Sequence, residues 1–370
     1  MSEYQQYEFQ ALDRPLSSDD QTYLRSLSSR VKLTATTARF VYSFSDFRHQ
    51  PETVLDRYFD LMLYMASFGV RQLMIRFPKA LVKPAVFEPY CVPHFITVST
   101  TAKSVILNIN LCAEDYYTWI EDDEAWLSDL VALREELLQG DFRVLYLAWL
   151  KAGFAEDAAA DPKELIEPPV PAGLKTLTPA LKSFVDLFKV DLDLIAAAAQ
   201  VSPTAKTSKE PVEDWIAELS ETERNRYLVR VAQGETHVGM ELMQNLRQRF
   251  GKTDPSPSSN AGRSLAALME IAEENKQHRR AQEKQAAAVA RRKYLEAIAP
   301  KSNALWQEVF KLVELKQAQS YDKAIGILKD LRDLAKYQEN LPVFQESIRQ
   351  MQSQYSNRPG LLQRLQKANL

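Results

Sequence analysis

The sequence predicts an α+β domain at the N-terminus followed by a mostly α-helical C-terminal region, with helix predominating overall. Before residue 112, aromatic and β-branched residues alternate with polar ones, which is typical of sheet strands. Beyond residue 174, apolar residues recur at helical spacing, and near the C-terminus they form short amphipathic segments. Such segments indicate helical hairpins.

The composition changes along the chain predict several domains, as expected for 370 residues. Proline-rich and serine-rich stretches mark two linkers. The predicted division is an α+β domain at 1–153, a linker at 154–173, a helical domain at 174–250, a flexible linker at 251–262, and a long charged helix with helical hairpins at 263–370.

The N-terminal domain begins with a predicted strand at Tyr4–Leu12, which is rich in aromatic residues. A capping-box pattern at Ser18 predicts a short helix after it. Val31–Phe44 predicts a second strand or a hairpin. After Pro51, apolar residues as far as Ala66 predict one heavily buried helix.

The rest of this domain reads as strands. Leu73–Phe77 alternates in polarity, and Phe95–Ser99 with Ser104–Leu111 predicts a hairpin. The resulting order β-α-β-α-β-β-β predicts a small sheet with helices packed on one face.

The remainder of the chain is predicted to be helical. Three helices are expected in the middle of the chain, at Thr178–Gln200, Val212–Gln233 and Val238–Phe250. Arg263–Ile298 predicts a helix that is polar almost all round, which either bridges solvent or waits for a partner.

The C-terminal segment has a pattern typical of a tetratricopeptide repeat. Tyr321, Ala324, Ile325 and Leu328 have the spacing of the second helix of such a repeat. The prediction is one such repeat at most, or ordinary packing of helical hairpins.

Charge and motifs exclude several classes of site. The net charge of −3 gives no overall attraction to nucleic acid or acidic membrane. The two cysteines form no metal pair, and neither a signal peptide nor an apolar run of membrane-spanning length occurs, which predicts a cytoplasmic protein. No catalytic, cofactor or metal motif is present, so none of these sites is predicted. His237 and Glu241, four residues apart, suit a metal pair or a solvated helix pair, and the second is favoured.

The first unusual surface feature is an acidic stretch interleaved with aromatic residues at 114–136. It predicts an acidic docking surface or a mimic of nucleic acid, and Asp122 with Asp123 offers oxygen ligands of the type that a divalent metal takes, although no metal motif is present. The alternative is a loop followed by a helix start that favours negative charge. The candidate residues of this acidic docking surface are Trp119, Glu121, Asp122, Asp123, Glu124 and Trp126.

The second is a basic run on the predicted long helix. Its cations suit a phosphate backbone, an acidic partner or the chain's own acidic stretch, and the alternative is a solvated charged helix. The candidate residues of this basic helix are Lys276, Arg279, Arg280, Lys284, Arg291, Arg292 and Lys293.

Both ends of the chain carry a resemblance. YEFQALDRPLS (Tyr7–Ser17) with Asp56–Pro78 resembles a bacterial family that opens with a near-identical phrase and has no established activity. RPGLLQRLQKANL (Arg358–Leu370) is similar to the tails of bacterial SWIM zinc-finger proteins and their companions. The resemblance implies a bacterial source and a zinc-finger companion that would itself hold any zinc. It implies no site residue in this chain.

Three functions follow from these observations. The first is a non-enzymatic protein-protein interaction or scaffold subunit, favoured by the two linkers, the polar helix and the two charge blocks. The second is a nucleic-acid-associated accessory protein in defence or repair that uses the basic helix. The third is an enzyme whose site assembles only in the fold. The oligomeric state is not predicted.

Overall fold

The computed structural model describes residues 4–43, 46–112, 126–153, 164–204, 210–251 and 262–370. Its contacts divide the chain into two compact units, Met1–Lys276 (the sheet unit) and Gln277–Leu370 (the helical unit). The predicted fold class is confirmed: an antiparallel sheet with helices is followed by a helical region, and helix predominates.

One seven-stranded sheet organises the sheet unit. Its strands are β1 (Tyr4–Gln10), β2 (Lys32–Leu33), β3 (Thr37–Ser43), β4 (Leu61–Ala66), β5 (Val70–Pro78), β6 (Ile96–Thr100) and β7 (Ser104–Cys112). They lie in the order β2-β3-β1-β4-β5-β7-β6, and all neighbours are antiparallel. The hairpin that the sequence predicts from Phe95 to Leu111 is present as β6 and β7.

Helices α1 (Ser18–Leu27) and α2 (Pro51–Tyr58) cover one face of the sheet. The residues of this core include Phe9, Leu24, Phe40, Leu55, Tyr58 and Met62. The capping box of α1 is formed by Ser17 with Asp20, one residue earlier than predicted, because the Ser17 hydroxyl reaches the Asp20 amide at 3.1 Å.

Four further helices pack against the opposite face of the sheet. They are α3 (Ala132–Leu138), α4 (Arg143–Ala152), α5 (Pro179–Phe188) and α6 (Leu192–Ala199). Their shared core with the sheet includes Leu61, Ile75, Leu107, Leu145, Phe184 and Ala198. The prediction of helices on one face only is therefore wrong: β4 is apolar in both directions, with Leu61 and Leu63 in this core and Met62 in the other, so both faces need a cover.

The single helix predicted from Pro51 to Ala66 is also wrong. Helix α2 ends at Tyr58, and β4 begins at Leu61. Between them the Asp60 carboxylate accepts the backbone N–H of Leu12 at 2.6 Å, which attaches this turn to the end of β1. An apolar run without clear periodicity suits a buried strand as well as a helix, and here pairing with β1 and β5 decides the outcome.

Two of the predicted middle helices are each divided in two. Lys189 adopts a left-handed conformation (φ 49°) after α5, and the Asp191 side chain caps α6. Ser220 forms a capping box that separates α7 (Val212–Ala217) from α8 (Glu221–Ala232). The third predicted helix is α9 (Val238–Phe250), and the long polar helix is α10 (Leu265–Ile298), within which the unit boundary falls.

The helical unit continues with α11 (Ser302–Glu314), α12 (Ala318–Tyr337), α13 (Leu341–Gln354) and α14 (Pro359–Lys367). The apolar positions at helical spacing form its core, which includes Val309, Val313, Ala324, Leu328, Phe344, Ile348, Met351 and Leu361. The tetratricopeptide-like repeat stays a prediction. Among the described residues, no helix is both long and apolar enough to cross a membrane.

Candidate functional site

The predicted acidic docking surface lies mainly outside the described residues, which exclude Trp119 and residues 121–124. Trp126 is described and half-buried. Its backbone N–H donates to Glu8 Oε1 at 3.3 Å, and the next N–H, of Leu127, donates to Glu8 Oε2 at 3.2 Å. Glu8 lies on β1 and is buried, so Trp126 is anchored to the sheet. The docking role of this surface stays a prediction.

The basic helix is present on α10, but much of its charge is already neutralised. Arg291 contacts Asp330 at 2.8 Å and Asp333 at 2.7 Å, and Arg292 contacts Glu296 at 3.0 Å. The first two contacts join α10 to α12. Arg291 therefore links α10 to α12 within the helical unit, and it is a poor candidate for a phosphate ligand.

The other five candidates of the basic helix also divide into two groups. Lys276 lies 3.8 Å from Glu273, and Arg279 lies 3.2 Å from Glu283, one turn along the same helix. The other three candidates are exposed and form no ion pair to a described residue; they are Arg280, Lys284 and Lys293.

Across the helical unit, the arginines are mostly ion-paired and the lysines are not. Its sequence holds 17 Lys and Arg against 9 Asp and Glu, a formal net charge of +8 in a chain of net −3. Every arginine except Arg280 forms an ion pair, for example Arg358 with Glu314 at 3.0 Å and Arg364 with Asp322 at 2.7 Å. All nine lysines are exposed, and none is ion-paired to a described residue. The uncompensated charge is therefore almost entirely on lysine.

Residues 277–290 of α10 form a second surface feature, here called the exposed segment. Each of these fourteen residues is exposed, so within the described chain this part of the helix buries no face. A shallow depression runs along one side of it, lined by Gln282, Gln285, Ala286, Val289, Ala290 and Lys293. The small side chains in this depression would allow another backbone to approach closely.

A group of five charged or titratable residues, the Asp13 cluster, lies in the sheet unit; two of them, Asp60 and Arg134, are buried and the others are half-buried. Oδ2 of Asp13 is contacted by Arg76 Nη2 at 3.2 Å, Arg134 Nη2 at 2.9 Å and His237 Nε2 at 3.0 Å. Arg76 also binds Asp60, whose other oxygen accepts two backbone N–H groups. The cluster therefore joins the end of β1, the start of β4, β5, α3 and the start of α9.

The two carboxylates of the Asp13 cluster have opposite pKa shifts. Burial raises the pKa of Asp13 above its ordinary value, and neighbouring Arg134 only partly offsets this. Burial also acts on Asp60, but Arg76, the Asp13 amide and Arg134 outweigh it, so the pKa of Asp60 is lowered. Because each member has an internal partner, the geometry indicates a structural lock between elements.

His237 does not form the solvated pair with Glu241 that the spacing favours. It lies at the N-cap of α9 in a left-handed conformation (φ 66°), and its side chain is directed to Asp13. Glu241 instead pairs with Arg230 at 2.7 Å. The side chains of His237 and Glu241 do not meet, because a cap residue does not share the helical geometry that brings positions four apart together.

A second ion pair with a buried carboxylate lies next to α4 in the sheet unit. Glu167 is contacted by Arg263 through two bonds, at 2.8 and 2.9 Å, and accepts a hydrogen bond from the Tyr146 hydroxyl. Burial and the bond to Glu167 raise the pKa of Tyr146 well above its ordinary range. These contacts attach the start of α10 to α4, which again is a structural task.

The sequence alone does not predict that the residues of the Asp13 cluster come together. The available signal was a charged residue within an apolar run, as Asp60 lies between Phe59 and Leu61, and Arg76 between Ile75 and Phe77. Such residues are expected to be buried and paired. Their partners, however, are distant in the chain. Over the described residues, no group of three or more His, Cys, Asp or Glu side chains is arranged to hold a metal.

The structure thus consists of an antiparallel sheet unit, in which ion pairs connect distant elements, and a basic helical unit. No family model, curated protein or solved structure matches the chain. The resemblance of the two terminal phrases to bacterial proteins stays a prediction.

Acidification is expected to weaken the helical unit. Hydrogen bonds from Tyr337 and Arg292 lower the pKa of Glu296, and those from Arg358 and Tyr355 lower the pKa of Glu314. A carboxylate with a lowered pKa in the folded state stabilises it above the ordinary pKa, and this contribution is lost as the pH falls. Hydrogen exchange corrected for intrinsic rates should show α11–α14 less protected below the ordinary glutamate pKa of 4.5 than above it.

A matched pair of variants tests this expectation. Glu314→Gln should reduce the loss of protection on acidification, because it removes one of the titrating groups. Glu308→Gln, at an exposed acid without an ion pair to a described residue, should leave the loss unchanged. Equal pH dependence in both variants would contradict the assignment.

Proposed function

We propose that this chain is a non-enzymatic interaction subunit that binds a protein partner along the exposed segment of α10. The observation that supports this most directly is the exposure of all fourteen residues at 277–290. Most helices in proteins are stabilised by packing of one face, and isolated helices shorter than about 12–15 residues are marginal in water. A polar helix that packs on nothing is typical of one that bridges solvent or waits for a partner.

The sequence of the exposed segment favours a preformed docking helix. Ala286, Ala287 and Ala288 have the highest helix propensity of any residue type, and Arg279 with Glu283 forms an ion pair one turn apart. A helix that is ordered before binding loses little conformational entropy when a partner arrives. The depression beside Ala286 and Val289 is then the contact face.

The first partner to test follows from the resemblance of the C-terminal phrase. Arg358–Leu370 is similar to the tails of bacterial SWIM zinc-finger proteins and their companions, so a protein of that kind is the first candidate. Within this chain the phrase packs internally, because Leu361 and Leu365 are buried and Arg358 donates to the Val313 carbonyl at 2.5 Å. A partner would therefore bind elsewhere, and the exposed segment is our proposal for the place.

The test is affinity capture of the tagged chain with a surface variant. Val289→Arg combined with Ala286→Glu places two charges in the depression, and we expect it to abolish recovery of the partner from nuclease-treated extract. Val289 is 49 % exposed, so the helix itself should tolerate the change. Circular dichroism and size-exclusion chromatography of the variant confirm its folding.

The control is Val343→Arg, the same substitution at a valine on α13 that is 59 % exposed. It should capture the same partner as the unaltered chain. The proposal fails if both variants capture equally. It also fails if nothing remains bound after nuclease treatment of the unaltered chain.

A further inference from the structure

The helical unit has a second surface property, which extends well beyond the exposed segment. We infer that its unpaired lysines bind the phosphate backbone of a nucleic acid, so that this unit is a sequence-independent nucleic-acid-binding module. This goes beyond the proposed docking of a protein partner. It also differs from the prediction for the basic helix, because arginines of that run are engaged within the unit.

The inference begins with the way the charges are divided. Seven of the nine acidic residues of the helical unit are ion-paired to arginine, which leaves only Glu308 and Glu339 outside these pairs. Arginine suits such pairs because its planar fork matches a carboxylate, whereas lysine is a mobile point charge on a flexible stem. The internal ion pairs thus use the arginines and leave the lysine charge facing solvent.

Helix α12 shows this division most clearly. Each of its three lysines is next in sequence to a residue that already contacts an arginine. Lys323 follows Asp322, Lys329 precedes Asp330, and Lys336 precedes Tyr337. All three lysines are exposed. They span about 20 Å of helix at 1.5 Å per residue, which suits an extended ligand.

The spread of the lysines favours a nucleic acid over an acidic protein. The nine lysines are distributed over α10, α11, α12, α14 and the connecting segments. At physiological ionic strength, charges more than about 8 Å apart are largely screened from each other. A single acidic patch would therefore satisfy few of these lysines at once, whereas a polymer with a phosphate about every 3.4 Å along each strand contacts many.

The two exposed tyrosines of α10 and α12, Tyr294 and Tyr337, do not offer a platform for bases. The Tyr294 hydroxyl donates to Asp330 at 2.8 Å, and the Tyr337 hydroxyl donates to Glu296 at 2.8 Å. Both rings are also covered by arginine guanidinium groups, Arg291 and Arg292 respectively. Binding is therefore expected to depend on the phosphate backbone and to be indifferent to sequence.

The experiment measures binding of the full chain to a fluorescein-labelled DNA duplex of arbitrary sequence, by anisotropy, between about 50 and 200 mM salt. The variant is Lys323→Gln, Lys329→Gln and Lys336→Gln together. Each neutralised phosphate contributes about 0.9 to the slope of log K against log salt, so we expect the slope to fall by about 2 to 3. Changing the same lysines to arginine should preserve binding.

The matched control is Lys83→Gln, Lys103→Gln and Lys182→Gln, three exposed lysines of the sheet unit that give the same change in net charge. It should keep the slope of the unaltered chain. Three results would overturn the inference: no binding at the lowest salt, an equal effect of both triple variants, or displacement of the DNA by polyglutamate at equal charge concentration. The last result would point to an acidic protein instead. Because residues 282–293 are unaltered in all these variants, failure here leaves the docking proposal standing.

Discussion

Replacing Arg134 with alanine should lower the free energy of unfolding of the sheet unit by about 3–5 kcal/mol, the usual effect of breaking a buried ion pair. Arg134 contacts Asp13 at 2.9 Å and Asp60 at 3.7 Å, and its Nε donates to the Arg76 carbonyl at 2.9 Å. The side chains of Asp13 and Asp60 are only 11 % and 2 % exposed. Without Arg134, both carboxylates would keep Arg76 but would lose the second of the two arginines that offset their burial, and little water reaches the site to replace it.

Urea denaturation followed by circular dichroism provides the measurement, and Arg14→Ala provides the control. Arg14 also pairs with an aspartate, Asp20, at 3.0 Å, but its side chain is 57 % exposed. Exposed pairs contribute at most about 1 kcal/mol, so Arg14→Ala should shift the urea midpoint only slightly. Similar midpoints for the two variants would show that the Asp13 cluster is not a structural lock.

Phe184→Ala is expected to have a comparable effect, about 3–5 kcal/mol, since it removes a fully buried aromatic side chain and leaves a cavity. Phe184 lies on α5 and stacks on Phe188 with ring centroids 4.4 Å apart. The same core contains Leu107 and Ile109 of β7. The loss should therefore extend beyond α5 to the sheet.

Hydrogen exchange read by mass spectrometry distinguishes a shared core from a separate helical one. In Phe184→Ala, the amides of β7 and of α5 should lose protection together. In Leu192→Ala, at a leucine that is 68 % exposed on α6, neither should change by much. Loss of protection confined to α5 and α6 would mean that these helices unfold independently of the sheet.

The parts of the fold that the sequence predicts well are those with local signals. The spacing of Leu328, Ile348 and Met351 places them correctly in the core of the helical unit, because helical periodicity needs only neighbouring residues. The β6–β7 hairpin is also predicted from a local signal, the strand pattern of Phe95–Ser99 and Ser104–Leu111. The run from Val54 to Ala66 predicts one helix because most of its positions are apolar, but the strand pairing that decides its conformation is not local.

The candidate sites show the same limit. Composition identifies the basic run on α10, but it does not show that Arg291 is bound by Asp330 and Asp333, about 40 residues further along. The Asp13 cluster is still less accessible to sequence reasoning. His237 and Asp13 come from opposite parts of the sheet unit, and only the folded chain brings them within 3.0 Å.

The same long separation along the chain has a kinetic consequence. A contact between Asp13 and His237 closes a loop that contains most of the sheet unit, and such loops form late because their closure entropy must be offset by contacts already made. The contact between Asp13 and His237 is therefore expected to form in the final stage of folding, after the strands have paired. An interaction that is absent from the transition state slows unfolding and leaves the folding rate unchanged. This contact is thus expected to lower the unfolding rate and so to lengthen the lifetime of the native state.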